Sequence, residues 1–298
     1  MKFLRARKRT KIVMLLVTAG VLLGCSAVIL WWQNTYTSPQ NVFERMLSNS
    51  FATTSVTKQS LVKNEAQTLL QTNNLQIAPE PRIHGLVEIT QGGEQKSFVK
   101  RESLTTPTTN FIRLVTITTD QKDSSGHPFS FSPILGIWGQ GPADESNNSL
   151  SQLFGQNVAV PYAHLSATAR TQLLAQIQHD GVYGVNYGAI QTKIHNGRKA
   201  YVYNVNVKPE AFIKMMKTIG KQAGVKGYED VDPASYKSLP PVKFVFTVDV
   251  VSGDLVNVDY GNGQVENYSG VGNRTTLQNP NKAVTMLELQ QRLQSLQR

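Results

Sequence analysis

The stretch VKFVFTVDVVSGDLVNVDY, residues 242–260, decides the fold. Two runs rich in β-branched and aromatic residues flank Ser252-Gly253-Asp254, a turn signal, so the stretch reads as a β-hairpin. Asp249 and Asp259 alternate with apolar neighbours, which gives the hairpin one wet face and one face for a core. A second hairpin precedes it. Residues 182–190 and 199–207 (KAYVYNVNV) flank His195-Asn196-Gly197-Arg198, and Asn-Gly is a strong two-residue turn. Strands joined by hairpins rather than by helical crossovers pair antiparallel.

Working outward, the same patterning gives strands at 55–63, 83–91, 96–104 and 110–119. Gly92-Gly93 turns the second into the third, and Thr106-Pro107 separates the third from the fourth. A short strand is expected at 264–268. Ser38-Pro39 opens a helix with Val42, Phe43, Met46, Leu47 and Phe51 on its apolar side. A second helix, 166–179, buries Leu173, Leu174 and Ile177 and stops at Gly181. A third, 210–223, carries Phe212, Met215, Met216 and Ile219 at helical spacing. Asn279-Pro280 reads as the capped start of a last helix running to Arg298, with Met286, Leu289, Leu293 and Leu296 on its docking side. Between 120 and 148 the pattern breaks into a long, partly apolar loop. The expected class is α+β: an antiparallel curved sheet with helices packed on one face, preceded by one N-terminal transmembrane helix.

That last element rests on residues 12–32, an uncharged run of 21 residues. At 1.5 Å per residue it reaches about 31 Å, the thickness of a hydrocarbon core. Val21-Leu22-Leu23-Gly24-Cys25 also fits a lipobox, in which Cys25 would be lipidated after cleavage. The residues after Cys25 stay apolar as far as Trp31 and Trp32, and indole rings favour the membrane interface, so the uncleaved signal anchor is the preferred reading. Residues 1–11 hold six Lys and Arg and no acid, which places the N-terminus in the cytoplasm as a basic tail. Residues 33–40 then form a linker, and 41–298 an extracytoplasmic domain on the cell membrane. The formal charge is +10, but outside the tail only 24 basic residues face 20 acidic ones, so nucleic acid is not the expected partner. One cysteine permits no intramolecular disulfide, a usage common in the bacterial envelope.

No catalytic motif emerges. The five histidines, His84, His127, His164, His179 and His195, share no metal-ligand spacing, so neither a metal nor a cofactor is expected. Ser55-x-x-Lys58 and Ser60-x-x-Lys63 fall in a strand and lack the partner motifs of penicillin-interacting enzymes. Asp249, Asp254, Asp259 and Glu266 cluster around the last hairpin, but Asp249 and Asp259 follow the wet-face pattern of strands rather than the pairing of a glycosidase. Three glycosylation acceptor patterns begin at Asn147, Asn267 and Asn273. In the 120–148 loop, Phe129, Phe131, Ile134, Leu135, Ile137 and Trp138 lie close together without period. They read as a cover closing the core or as a lid over an apolar cavity, with Phe129, Phe131, Trp138 and Met215 as candidate ligand contacts.

The element order, ending in the hairpin TVDVVSGDLVNVDY, resembles the half-barrel shared by bacterial lipoprotein carriers and mycobacterial lipid-binding lipoproteins. The resemblance covers residues 40–270 and implies a curved sheet plugged by helices, with acyl chains bound beneath it. The full anchor is a departure from that class. Two functions follow as expectations: an anchored binding module for a lipid or other apolar ligand, or a structural or assembly protein of the cell surface working through protein contacts. Enzyme activity is not expected.

Overall fold

In the computed structural model the described residues are 31–93, 96–122, 126–127, 129–143, 158–223, 231–273 and 276–296, with Ser26 and Val28. The chain is α+β. Its strands are β1 (Ser55–Lys63), β2 (Gln67–Gln76), β3 (Arg82–Gln91), β4 (Ser97–Thr105), β5 (Thr109–Thr119), β6 (Gly139–Pro142), β7 (Tyr183–Val185), β8 (Gln191–His195), β9 (Arg198–Val207), β10 (Val242–Asp249), β11 (Leu255–Asp259), β12 (Gln264–Ser269) and β13 (Val284–Thr285). Its helices are α1 (Pro39–Ser50), α2 (Ala167–Asp180), α3 (Pro209–Ala223) and α4 (Met286–Ser295). All strands join one curved, unclosed sheet in the order β13-β6-β5-β4-β3-β2-β1-β12-β11-β10-β9-β7, with β8 also on β9.

The sheet is mixed, which corrects the antiparallel expectation at one edge: β13 runs parallel to β6. The cause is the crossing that follows β12. Residues 270–273 and 276–283 pass the ends of β1 and β2, where Gly272 N donates to Ser55 O and Leu277 N to Gln76 Oε1. The chain thus reaches the far edge by a long traverse and not by a hairpin.

Helices α1, α2 and α3 pack on one face of β9–β12. Ser38 caps α1 by accepting from Asn41 N, and Pro39 fits the first turn because its missing N–H would be unsatisfied there anyway. Val42, Phe43, Met46 and Leu47 then face the sheet and are buried. The Phe43 ring lies 5.3–6.4 Å from the rings of Tyr183, Tyr187, Tyr203 and Phe246. Leu173 and Ile177 of α2, and Met215, Met216 and Ile219 of α3, complete this core against Tyr203, Val205, Val248, Leu255 and Val258. Gly181 ends α2 in the left-handed conformation, φ 60°, which glycine adopts without steric cost.

Three further departures from the sequence reading have local causes. Strand β2 was not expected, since QTLLQTNNLQ is rich in amides; Asn64 makes the hairpin that lays it on β1, its Oδ1 accepting from Ala66 N and Gln67 N. The last helix starts at Met286, capped by Thr285 Oγ1, because Asn279 is occupied elsewhere: its Oδ1 accepts from Arg82 Nη1 at 2.9 Å. The expected strand at 182–190 breaks into β7 and a 3-10 turn capped by Asn186.

The expected span, residues 12–32, lies outside the described residues except for Ser26, Val28, Trp31 and Trp32, and Cys25 is likewise not described. Among the described residues, no helix is long and apolar enough to cross a membrane. Within the expected linker, Trp32–Tyr36 forms one π-helical turn and α1 begins at Pro39.

Beside the core, the inward side of the sheet holds a buried ion pair. Lys58 Nζ lies 2.5 Å from Glu266 Oε1. Ser60 Oγ donates to the same carboxylate, as do the hydroxyls of Tyr260 at 2.7 Å and Tyr268 at 2.5 Å. Burial, and then the carboxylate's own charge, push both phenols well above their ordinary range, so they remain protonated donors. Replacing Glu266 by Gln leaves the Lys58 ammonium in the interior without its counter-charge, and is expected to cost about 3 kcal/mol in urea unfolding. Adding Lys58→Met is expected to recover most of that loss. A single-variant cost below about 1 kcal/mol would show that the charge pair does not hold this region.

Candidate functional site

Paired residues on neighbouring antiparallel strands share a face, so the register maps the sheet directly. Phe246 lies under the helices and starts the row Phe246–Val258–Glu266–Ser60–Gln71–Val87–Arg101–Leu114. Two residues further from the β10–β11 turn, a parallel row runs Val62–Leu69–Ile89–Val99–Ile117. These are five apolar side chains on five consecutive strands, a stripe of about 19 Å at the usual strand spacing. A bulge makes it continuous. Val115 has no cross-strand partner, so Leu114 and Ile117, three apart, face the same way. None of the five belongs to the core beneath the helices; four are half-buried and Val62 is 36% exposed.

Arg101 stands beside this stripe, between Val87 and Leu114. It is exposed, and its guanidinium has no hydrogen-bond, ion-pair or ring partner among the described residues. On the outward face of the same strands several charges are paired. Lys100 pairs with Glu88 at 2.8 Å. Asn74 Nδ2 donates to His84 Nδ1, and His84 Nε2–H donates to Glu102 Oε1 at 2.6 Å, the tautomer that satisfies both contacts. Arg113 Nε and Nη2 grip the other carboxylate oxygen, and its guanidinium covers the Trp138 ring at 4.6 Å. The inward face thus sets an apolar stripe beside a cation that has no partner among the described residues.

A cleft of about 1010 Å³ lies elsewhere, under residues 276–279 and beside Gln76, Ala78, Pro79, Glu80, Arg82 and His164. Two of its polar side chains, Gln76 and Arg82, are already engaged. Gln76 Nε2 donates to Glu80 O while its Oε1 takes Leu277 N; Arg82 donates to Leu277 O, Asn279 Oδ1 and Glu80 Oε2. These bonds tie the crossing chain down and give the cleft a structural role. A smaller apolar groove of about 240 Å³ against α3 adjoins it through Ala78, Pro79 and His164.

The structure does not bring the four sequence-predicted ligand contacts together. Met215 is fully buried in the helix-covered core, within reach of the Tyr183 hydroxyl. Phe129 and Phe131 pack on each other, ring centroids 6.1 Å apart. Trp138 sits under Arg113 on the outward side. The rest of that loop borders β5, with Gly136 N donating to Leu114 O and Ile134 fully buried. Trp31 and Trp32 are exposed. Sequence reasoning missed Leu69, Val87, Ile89, Val99, Arg101 and Ile117. The period-two pattern of IHGLVEITQ does place Ile83, Val87 and Ile89 on one side, but only the register shows that the helices stop short of Ile89.

Partial burial pushes the Glu102 carboxyl up, but the hydrogen bonds and charges of His84 and Arg113 outweigh it and hold the group below its ordinary value. The network therefore contributes stability above about pH 4.5, and that contribution is lost as pH falls through the lowered value. In a pH series of chemical unfolding, the wild type is expected to exceed Glu102→Gln by up to about 1 kcal/mol near pH 6, given its partial exposure, and by less near pH 3. A gap that widens on acidification would contradict the assignment.

No protein-family model matches the chain, and no curated protein sequence matches it. Among solved structures it is similar to the crystal structure of LprF from Mycobacterium bovis, with a TM-score of 0.42 and 14% sequence identity over 81% of this chain and 96% of that one.

Proposed function

We propose that this chain is a membrane-anchored extracytoplasmic binding module whose open sheet face takes an elongated apolar ligand with an acidic head group. The observation that carries the reading is the five-strand apolar stripe beside the unpartnered Arg101. A ligand chain lying along the stripe and covering roughly 300 Å² of apolar surface gains on the order of 7 kcal/mol at 25 cal/mol/Å². Association itself costs at least about 4 kcal/mol, so the tail alone binds weakly. A carboxylate or phosphate on Arg101 supplies the remainder through a two-pronged, charge-assisted bond, and it fixes which way the ligand lies.

A second reading, a cell-surface structural protein working through protein contacts, draws on one observation. Leu61 and Val62 at the end of β1 point to opposite faces of the sheet and are 39% and 36% exposed, so an apolar rim continues past the stripe.

The test is displacement of a fluorescent fatty acid from the full chain in nanodiscs. Ile89→Glu puts a charge in the middle of the stripe and is expected to abolish binding. Arg101→Ala is expected to weaken the acidic probe at least about tenfold while leaving its neutral alcohol analogue unchanged. Equal binding of the acid to wild type and both variants, or none to wild type, would overturn the ligand reading; the second outcome would favour the protein-contact reading.

A further inference from the structure

The entry of the chain into the domain is fastened at many points. Trp32 stacks on Tyr36, centroids 4.2 Å apart. The Arg45 guanidinium lies 3.9 Å from the centre of the Tyr36 ring, and donates from Nη1 to Tyr36 O and from Nη2 to Val250 O. The Tyr36 hydroxyl reaches Val251 O at 3.3 Å. From the other side, Tyr201 and Tyr203 donate to Thr37 O and Pro39 O at 2.8 and 2.9 Å. Residues 36–39 are therefore held between the β10–β11 turn and the start of β9. Val250 N donates to Lys199 O, so the tip of the β8–β9 hairpin belongs to the same end of the molecule.

This end has an unusual surface. Trp31 is 57% exposed, Trp32 42%, Val251 49% and Ile194 71%, four of the ten large apolar side chains exposed among the described residues. Lys193 precedes Ile194 on β8 and Arg198 and Lys199 lie across the hairpin from it, all exposed. Arg198 pairs with the nearly buried Asp249, and Lys199 Nζ lies 5.4 Å from the Tyr201 ring centre, while Lys193 has no partner among the described residues. The nearby acid Asp254 accepts from Asn49. Three exposed cations against Asp249 and Asp254 leave this end net basic, with apolar points. It surrounds the place where the uncharged run 12–32 meets the domain.

We infer that this end is a platform resting on the headgroup layer of an anionic bilayer, with Ile194 and Val251 inserted at the interface and the basic side chains on lipid phosphates. The inference rests on the anchor reading of residues 12–32 and deepens it: the domain is seated on the membrane in one orientation and is not tethered loosely above it. The chemistry fits. Exposed aliphatic and indole groups among lysines and arginines gain nothing from water but gain both burial and charge at a headgroup layer. The contacts of Tyr36 and Arg45 tie Trp32, at the end of the run, to the β10–β11 turn.

The experiment uses the full chain with Cys25→Ala and one new cysteine, Ile194→Cys on the platform or Thr116→Cys on the outward face of β5. Each carries an environment-sensitive dye. The protein is reconstituted into phosphatidylcholine vesicles with or without phosphatidylglycerol. The label at 194 is expected to shift to the blue and to be quenched by headgroup-region spin-labelled lipid about threefold more than the label at 116, with Lys193→Glu/Lys199→Glu reducing the difference in anionic vesicles. If the chain floats with vesicles but the two labels behave alike, the platform fails and the anchor stands. If the chain does not float, the anchor reading fails and takes the platform with it. If 194 is shielded to the same extent in detergent micelles and in both vesicle types, the face meets protein and the inference is overturned.

Discussion

The inward face of the sheet is longer than the helices that cover it, and the rest of the molecule follows from that mismatch. Helices of 12, 14 and 15 residues are about 18–23 Å long, whereas a path of twelve strands is about 53 Å wide at normal spacing. Three such helices can seal one half. They seal the half formed by β9–β12 and the near ends of β1–β3, where Phe43, Met215 and Phe246 pack in one cluster with Val56, Leu75 and Ile83. At the far ends of β1–β5 the inward row Val62–Leu69–Ile89–Val99–Ile117 lies outside that core, while α4 sets Met286 and Leu289 against Gly139 and Gly141 of the neighbouring β6.

The boundary between the halves is polar. Glu266, Lys58, Ser60, Gln71 and Asn73 lie on inward positions between the sealed core and the open stripe. The buried ion pair is not a stabilising device in itself, since an apolar pair of the same shape would do as well or better. It does mark a limit. Gly85 shows how closely this zone is filled: a Cβ there would meet Ser103 Oγ at 2.7 Å and Asn73 Oδ1 at 3.1 Å. Beyond the polar zone the face opens again to Val62, Leu69, Ile89, Val99 and Ile117. In strand register this stripe lies at the end remote from the β10–β11 turn, so a domain seated on that turn would present it away from the membrane.

Much of the architecture was legible because it rests on local chemistry. The Asn196-Gly197 turn, the Ser38-Pro39 cap, the Gly181 stop and the 242–260 hairpin all formed where the residues asked for them. What failed was non-local. Strand β2 hides in a run of amides, and Asn279 serves Arg82, some 200 residues earlier, instead of a helix. Met215 and Trp138 both looked like ligand contacts because each is a large apolar side chain. Only the tertiary structure sends one into a closed core and the other to the far face under Arg113. The His84–Glu102–Arg113 network and the stripe beside Arg101 had no sequence signal, because their members meet through strand register across gaps of ten to twenty residues.

The central claim is that the apolar stripe on β1–β5 takes an apolar, acidic ligand in the cell. Native mass spectrometry of the full chain, purified from its own host in a mild detergent, tests this most directly. The account predicts a discrete adduct of lipid-like mass that dissociates as an anion and is missing from protein carrying a charge in the stripe. Bare protein in every preparation, or an adduct that persists unchanged when the stripe is disrupted, would contradict it.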